Sequence, residues 1–270
     1  VNRISQRLSE LKSQNRKALV TYIVNGDPRP EVSLPAMHAL VEAGADIIEL
    51  GIPFSDPMAE GPTIQRGHER ALAHNTSLRD TFALVKEFRT RNQHTPIVIM
   101  GYANPLERMG YEECAKLAAE VGVDGMLTVD LPAEESAELN KYLVQNSLEN
   151  IFLLAPTTTE ERIKDVVSLA GGFVYYVSLK GVTGAGHIDV DAVEKRLQEI
   201  KKYTDLPVLA GFGIKDADTA SAIANVADGV IVGSVLVDAM GKDADRNTQE
   251  ICQDLKNIIE PMRSALDEQN

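Results

Sequence analysis

Short apolar runs rich in β-branched residues alternate along this chain with longer stretches whose apolar positions recur every three or four residues. The runs, each bounded by turn-forming residues, fall at 18–24, 46–50, 96–101, 125–129, 151–154, 173–177, 207–210 and 229–232. They read as strands, and the stretches between them as amphipathic helices. Strands that are apolar throughout and alternate with helices imply a parallel sheet covered on both faces. Ahead of the first strand, Ile4, Leu8 and Leu11 keep helical spacing, which predicts a helix packed across one end of the body. At the other end Ile251, Leu255 and Ile258 predict a closing helix over 246–266.

One pattern recurs. The chain reads VEAGADIIELGIP, then AEVGVDGMLTVDLP, then NVADGVIVGS: a helix end, a small residue or Gly, an Asp, and a strand. Reuse of one βα unit favours a quasi-symmetric closed barrel over the alternative, an open doubly wound sheet. The expected fold is therefore α/β, a (β/α)8 TIM barrel in a single domain over 1–270, with an extra N-terminal helix and an extended loop after strand 2. About 45 residues separate the second strand from the third, more than one helix needs, and the excess begins with GIPFSDPMAEGP. Long loops at the strand C-termini are where a barrel carries its chemistry.

Composition narrows the function classes. A chain of 270 residues, 44% of them hydrophobic, has the size of one such barrel. A net charge of -13 repels nucleic acid and anionic membrane surfaces, so a bound phosphate would need a local site. Cys114 and Cys252 show no CxxC spacing and read as free thiols of a reducing compartment. No run approaches the roughly 18 to 20 apolar residues of a membrane span, and no signal-peptide core is seen. The expected localisation is cytoplasmic.

Strand alternation sends Glu49 to the same side as Ile47, which places a carboxylate among apolar residues at the C-terminal end of the second strand. An unpaired carboxylate there resists ionisation and can act as acid and base near neutrality. A buried ion pair with Lys or Arg is the bland alternative. In the following loop, Asp56 before Pro57 suits a turn, and Glu60 before Gly61 reads either as a second acid or as solvated surface. Three Gly-rich turns, at 181–186, 211–213 and 233–234, follow the last strands, where this architecture holds phosphate. Ser234 is placed to cap a short helix whose N-terminus faces the anion. The five histidines have no metal-ligand spacing, so no metal is implied. Lys180 could form a Schiff base with a carbonyl substrate, although its loop position suits a solvated lysine better.

The segments IELGIPFSDPMAEGPTIQ, MGYANP, VDLPAEE, LLAPTT, YYVSLKGVTG, GFGI and GVIVGSVLV occur in the order found in tryptophan synthase α subunits, which the chain resembles over almost its whole length. The resemblance implies cleavage of indole-3-glycerol phosphate to indole and glyceraldehyde 3-phosphate, a step of L-tryptophan biosynthesis. It implies Glu49 as catalytic acid and base and Glu60 as the second carboxylate, near the indole N–H. Most members of the family carry Asp at that position, so Glu60 departs by one methylene, keeping the charge and changing the geometry. By resemblance Tyr22, Met100, Leu127, Tyr175 and Phe212 line the substrate pocket, Thr183 sits on a loop that closes over it, and Gly184, Gly213, Gly233 and Ser234 hold the phosphate. The implied partner is a β subunit in an α2β2 complex, met through Asp56 and a segment containing Asn104 and Pro105. Pyridoxal phosphate belongs to that partner, and no cofactor is expected in this chain.

Overall fold

The computed structural model describes residues 2–177, 189–211 and 213–268. A first helix, α1 (Arg3–Ser13), precedes β1 (Ala18–Val24), α2 (Pro30–Glu42), β2 (Ile47–Gly51), α3 (Pro62–Leu72), α4 (Leu78–Arg89), β3 (Ile97–Gly101), α5 (Ala103–Met109), α6 (Tyr111–Val121) and β4 (Gly125–Thr128). After a 3-10 turn at Ala133–Glu135 come α7 (Ala137–Gln145), β5 (Glu149–Asn150), β6 (Leu153–Leu154), α8 (Glu160–Leu169), β7 (Val174–Val177), α9 (Val190–Ile200), β8 (Val208–Gly211), α10 (Ala217–Ala224), β9 (Gly229–Val232), α11 (Ser234–Gly241) and α12 (Thr248–Asp267). The 45-residue interval after β2 thus holds two helices. The second begins at a reciprocal Ser77–Asp80 capping box, a local start signal written in its first turn.

All strand pairs are parallel, in the order β5-β4-β3-β2-β1-β9-β8-β7-β6. The fifth strand expected over 151–154 is instead two short ladders on either side of Ile151 and Phe152. Its first half pairs with β4 and its second with β7, because a tilted strand in a sheared barrel changes neighbour along its length. The Ile151 N–H donates to the Met126 carbonyl (2.8 Å) and the Tyr175 N–H to the Phe152 carbonyl (3.0 Å), so the two sheet edges meet in one segment. The barrel is closed, and an open sheet is excluded.

Period-2 alternation divides the apolar residues into two cores. Val20, Tyr22, Ile47, Val98, Met100, Leu127, Ile151, Phe173, Leu209 and Ile231 fill the interior, whereas Leu19, Ile23, Ile48, Leu50, Ile97, Ile99, Val208 and Val230 pack outward against the helices. Ile4, Leu8 and Leu11 of α1 join the interior cluster and close its N-terminal end. Gly125 makes this possible, since a Cβ there would lie 2.9 Å from Ile4 Cδ1. On α12 the buried stripe is Ile251, Leu255, Ile259, Met262 and Leu266. The expected Ile258 is only half-buried beside it, because Ile259 continues the four-residue spacing from Leu255.

The repeated Asp proves to be a staple between neighbouring strands. The Asp46 N–H donates to the Leu19 carbonyl (2.8 Å) while its carboxylate accepts from the Leu19 N–H (2.9 Å). Asp124 does the same with Ile97 (2.9 and 2.9 Å) and Asp228 with Val208 (3.0 and 2.8 Å). Each staple is neutralised by cations: Arg7 and Arg263 at Asp46, Arg3 and Arg89 at Asp124, Lys201 at Asp228. This network sits at the N-terminal rim, which leaves the opposite rim for chemistry.

Candidate active site

Glu49 lies on the inner face of β2 beside Tyr22 of β1 in register, and it is 1% exposed. Neither carboxylate oxygen has a hydrogen-bond partner, and no Lys or Arg pairs with it, among the described residues. Burial pushes its pKa from 4.5 up to about 8, and the negative charge of nearby Glu60 adds to the shift. The group therefore holds its proton at neutrality and becomes a strong base once it has given that proton away. Glu60, half-buried in the loop before α3, is pushed by burial up to about 7. Glu60 is near enough for its charge to raise the pKa of Glu49, so the two expected carboxylates share one site.

Tyrosines surround the pair. Tyr175 on β7 and Tyr22 on β1 have their pKa raised well above 10, mainly by burial, with both glutamates adding to it. Their hydroxyls fit because β2 and β8 end in glycine: a Cβ at Gly51 would lie 2.4 Å from Tyr22 Oη, and one at Gly211 would lie 2.7 Å from Tyr175 Oη. Met100, Leu127, Val129 and Leu153 continue the interior wall, and Ile64 reaches it from α3.

Two residues the sequence reading passed over fix the loop that carries Glu60. Tyr102, directly after β3, accepts the Ala59 N–H at its hydroxyl (3.2 Å) and stacks on Phe54 with centroids 4.9 Å apart. Its position at the C-terminal end of a barrel strand was the signal available for it. His68 on α3, 2% exposed, accepts the Phe54 N–H at Nδ1 (3.0 Å), and burial lowers its pKa to about 4. Asp56 faces solvent, where it accepts the Ser55 hydroxyl (2.9 Å), and takes no part in the pocket.

Gly213, with φ of +48°, and Gly233 follow β8 and β9 at the same rim. Gly233 is the N-cap of α11 and Ser234 its first helical residue, so Ser234 is not the cap that the sequence suggested. A residue whose own φ/ψ are already helical cannot fill the cap. Among the described residues no side chain caps this end, which leaves its first N–H groups open to an anion, and a Cβ on Gly233 would lie 3.5 Å from the Tyr22 ring. This helix N-terminus thus adjoins the apolar pocket. Thr183, Gly184, Phe212 and Lys180 lie outside the described residues. Asn104 is exposed and Pro105 half-buried on α5, next to Tyr102 and therefore next to the Glu60 loop. Among the described residues no group of three His, Cys, Asp or Glu side chains could hold a metal ion, and no helix is long and apolar enough to cross a membrane.

Two carboxyls poised near neutrality, an apolar chamber and an adjoining helix N-terminus suit proton-transfer chemistry on a phosphate ester with an apolar body. A family model described as tryptophan synthase alpha chain matches residues 8–267. A curated tryptophan synthase alpha chain of Marinobacter nauticus is 55% identical, over 99% of this chain and 98% of its own length. One from Nitrosococcus oceani is 51% identical, over 99% and 98%. Among solved structures, tryptophan synthase subunit alpha from Legionella pneumophila superposes with a TM-score of 0.92 at 41% identity, covering 99% of both chains. A chain of M. tuberculosis tryptophan synthase in its aminoacrylate-bound form gives 0.87 at 34% identity, over 98% of this chain and 100% of that one.

Proposed function

The chain belongs to the tryptophan synthase alpha chain family and is a carbon–carbon lyase of L-tryptophan biosynthesis, splitting indole-3-glycerol phosphate into indole and glyceraldehyde 3-phosphate; we propose that Glu49 moves the protons of this reaction and that Glu60 supports it at the indole nitrogen. The observation that supports this reading is the Glu49 carboxyl, unpartnered among the described residues and kept protonated by burial at the rim where barrel enzymes work.

Protonated Glu49 donates to indole C3, giving an iminium whose charge the ionised Glu60 balances from the N–H side. The C3–C1′ bond then breaks. Its electrons return to the ring, and the C1′ hydroxyl gives its proton to the Glu49 carboxylate as the aldehyde forms. Glu49 ends as it began, so the cycle closes with no oxidant, metal or cofactor. Tyr22, Met100, Leu127, Tyr175 and Phe212 are assigned to the indole pocket and Thr183 to its closure, with Gly184, Gly213, Gly233 and Ser234 around the phosphate. Residues 1–270 act as a single domain, and the site of action is the cytoplasm.

The family implies a β-subunit partner, and an α2β2 assembly is the stoichiometry proposed, with pyridoxal phosphate confined to that partner. Asp56, Asn104 and Pro105 are assigned to its contact surface. Support comes from Met58, a large apolar side chain 87% exposed in the same loop.

The test is indole release from indole-3-glycerol phosphate by the purified chain and by Glu49→Gln, each with and without a β subunit. Activity that rises with the partner and falls by roughly 10²-fold or more in the variant is expected. Full activity in Glu49→Gln would remove Glu49 from the mechanism, and no release by either protein would remove the lyase reading.

A further inference from the structure

His68 has so far served only to hold the loop that carries Glu60, yet its ring also touches Tyr22 in the wall that faces Glu49. It lies on α3 behind the pocket and is 2% exposed. Nδ1 accepts the Phe54 N–H at 3.0 Å, and Nε2 lies 3.4 Å from Tyr22 Oη. A neutral imidazole has one N–H and one bare nitrogen. A backbone N–H can only donate, so Nδ1 must be bare, and the single ring hydrogen sits on Nε2. That hydrogen points to Tyr22 Oη, which then accepts from the histidine and keeps its own hydrogen for another direction. Glu60, Glu49, Tyr102 and Tyr175 are near enough for their charges to act on the Tyr22 hydroxyl, and Glu49 is its neighbour in strand register.

From this geometry we infer that His68 is a positioning residue that orients the Tyr22 hydroxyl hydrogen into the pocket, making Tyr22 a fixed donor to the space between the two glutamates. The inference rests on the assignment of that space as the reaction site. The direction begins at the backbone: Phe54 sets the imidazole tautomer, the imidazole sets the hydroxyl rotor, and the rotor points its positive end at the carboxylates and at any substrate oxygen between them. Leu or Phe at position 68 would fill the space and lose the direction. Gln could keep both, since its amide has one acceptor for Phe54 and donors for Tyr22.

Imidazole 15N shifts of the unmodified chain test the first link without reference to activity, and the Nε2–H tautomer is expected. The Nδ1–H tautomer would overturn the inference even if the lyase assignment stood. For the second link, kcat and KM for indole release are compared in Tyr22→Phe, His68→Leu, His68→Gln and the double variant Tyr22→Phe/His68→Leu. Tyr22→Phe and His68→Leu are each expected to lose roughly two- to tenfold in kcat, the worth of one hydrogen bond. The double variant should fall no further than Tyr22→Phe alone, and His68→Gln should recover most of the loss. Equal losses in His68→Gln and His68→Leu, or a double variant in which the two losses multiply, would overturn the inference and leave His68 a packing residue. Should His68→Leu fail to fold, the tautomer decides.

Discussion

At the scale of single residues the proposed chemistry depends on a carboxyl buried without a partner among the described residues. Glu49 could be singled out in the sequence because alternation along its strand fixes the side it faces, but the lack of a hydrogen-bond partner for its oxygens among the described residues could not, since that depends on the other strands. Glu60 was legible only by resemblance. Of the residues that hold its loop, Tyr102 had only its place after a strand as a signal, and His68 acts through the loop fold, which no local pattern encodes. Because Glu49 binds its proton more tightly folded than unfolded, it lowers stability progressively as pH rises from about 4.5 through about 8. Thermal melts of Glu49→Gln should therefore show a gain over the parent that is small in acid and grows to the order of 5 kcal/mol in alkali. A pH-independent difference would contradict the buried-acid reading. Activity should follow a narrow bell in kcat/KM, rising as Glu60 ionises near 7 and falling as Glu49 loses its proton near 8, the two limbs belonging to the coupled pair. Glu60→Gln should abolish the rising limb, and a profile that kept it would assign that limb elsewhere.

At the scale of elements, strand positions were readable because continuous apolar runs and flanking turn residues are local signals. The split of the fifth strand was not, because it follows from the shear of the closed barrel. The repeated Asp was visible as a motif but silent as to purpose until the strand pairs it staples were known. Its three copies differ in burial, and their energetic worth should follow. Removing Asp124 strips the counter-charge from Arg89, whose side chain is 7% exposed, so Asp124→Ala should cost about 3–5 kcal/mol in urea unfolding. Asp228→Ala, whose partner Lys201 is 40% exposed, should cost about 1–2 kcal/mol, mainly through the lost Val208 bond. Equal costs at the two sites would contradict the ranking. Helix α11 shows the same limit of local reading: the Gly-Ser pair marked a helix start correctly in place, while the cap itself was assigned one residue late.

Across the whole molecule, function divides between the two rims of the barrel. The N-terminal rim carries α1 and the charged staples, and the opposite rim carries the glutamates, the uncapped N-terminus of α11 and the loop with exposed Met58. Placing a charge at that loop should weaken association with a β subunit while leaving the barrel intact. Met58→Glu is expected to raise the Kd about tenfold or more in titration calorimetry, with an unchanged melting temperature. An unchanged Kd would move the contact surface elsewhere. The division itself was implicit in the sequence, since the longest loop follows a strand and the repeated Asp precedes one. The side on which the pocket opens followed from the barrel fold.

The most direct test of the central claim is the protonation state of Glu49 itself, read as the carboxyl C=O stretch in infrared difference spectra between the parent and Glu49→Gln over a pH series. A protonated-carboxyl band present at neutral pH and lost as pH passes about 8 is the expected result. A band already lost near 4.5, the range of an ordinary carboxylate, would show Glu49 ionised at neutrality and contradict its role as the proton donor to the indole ring.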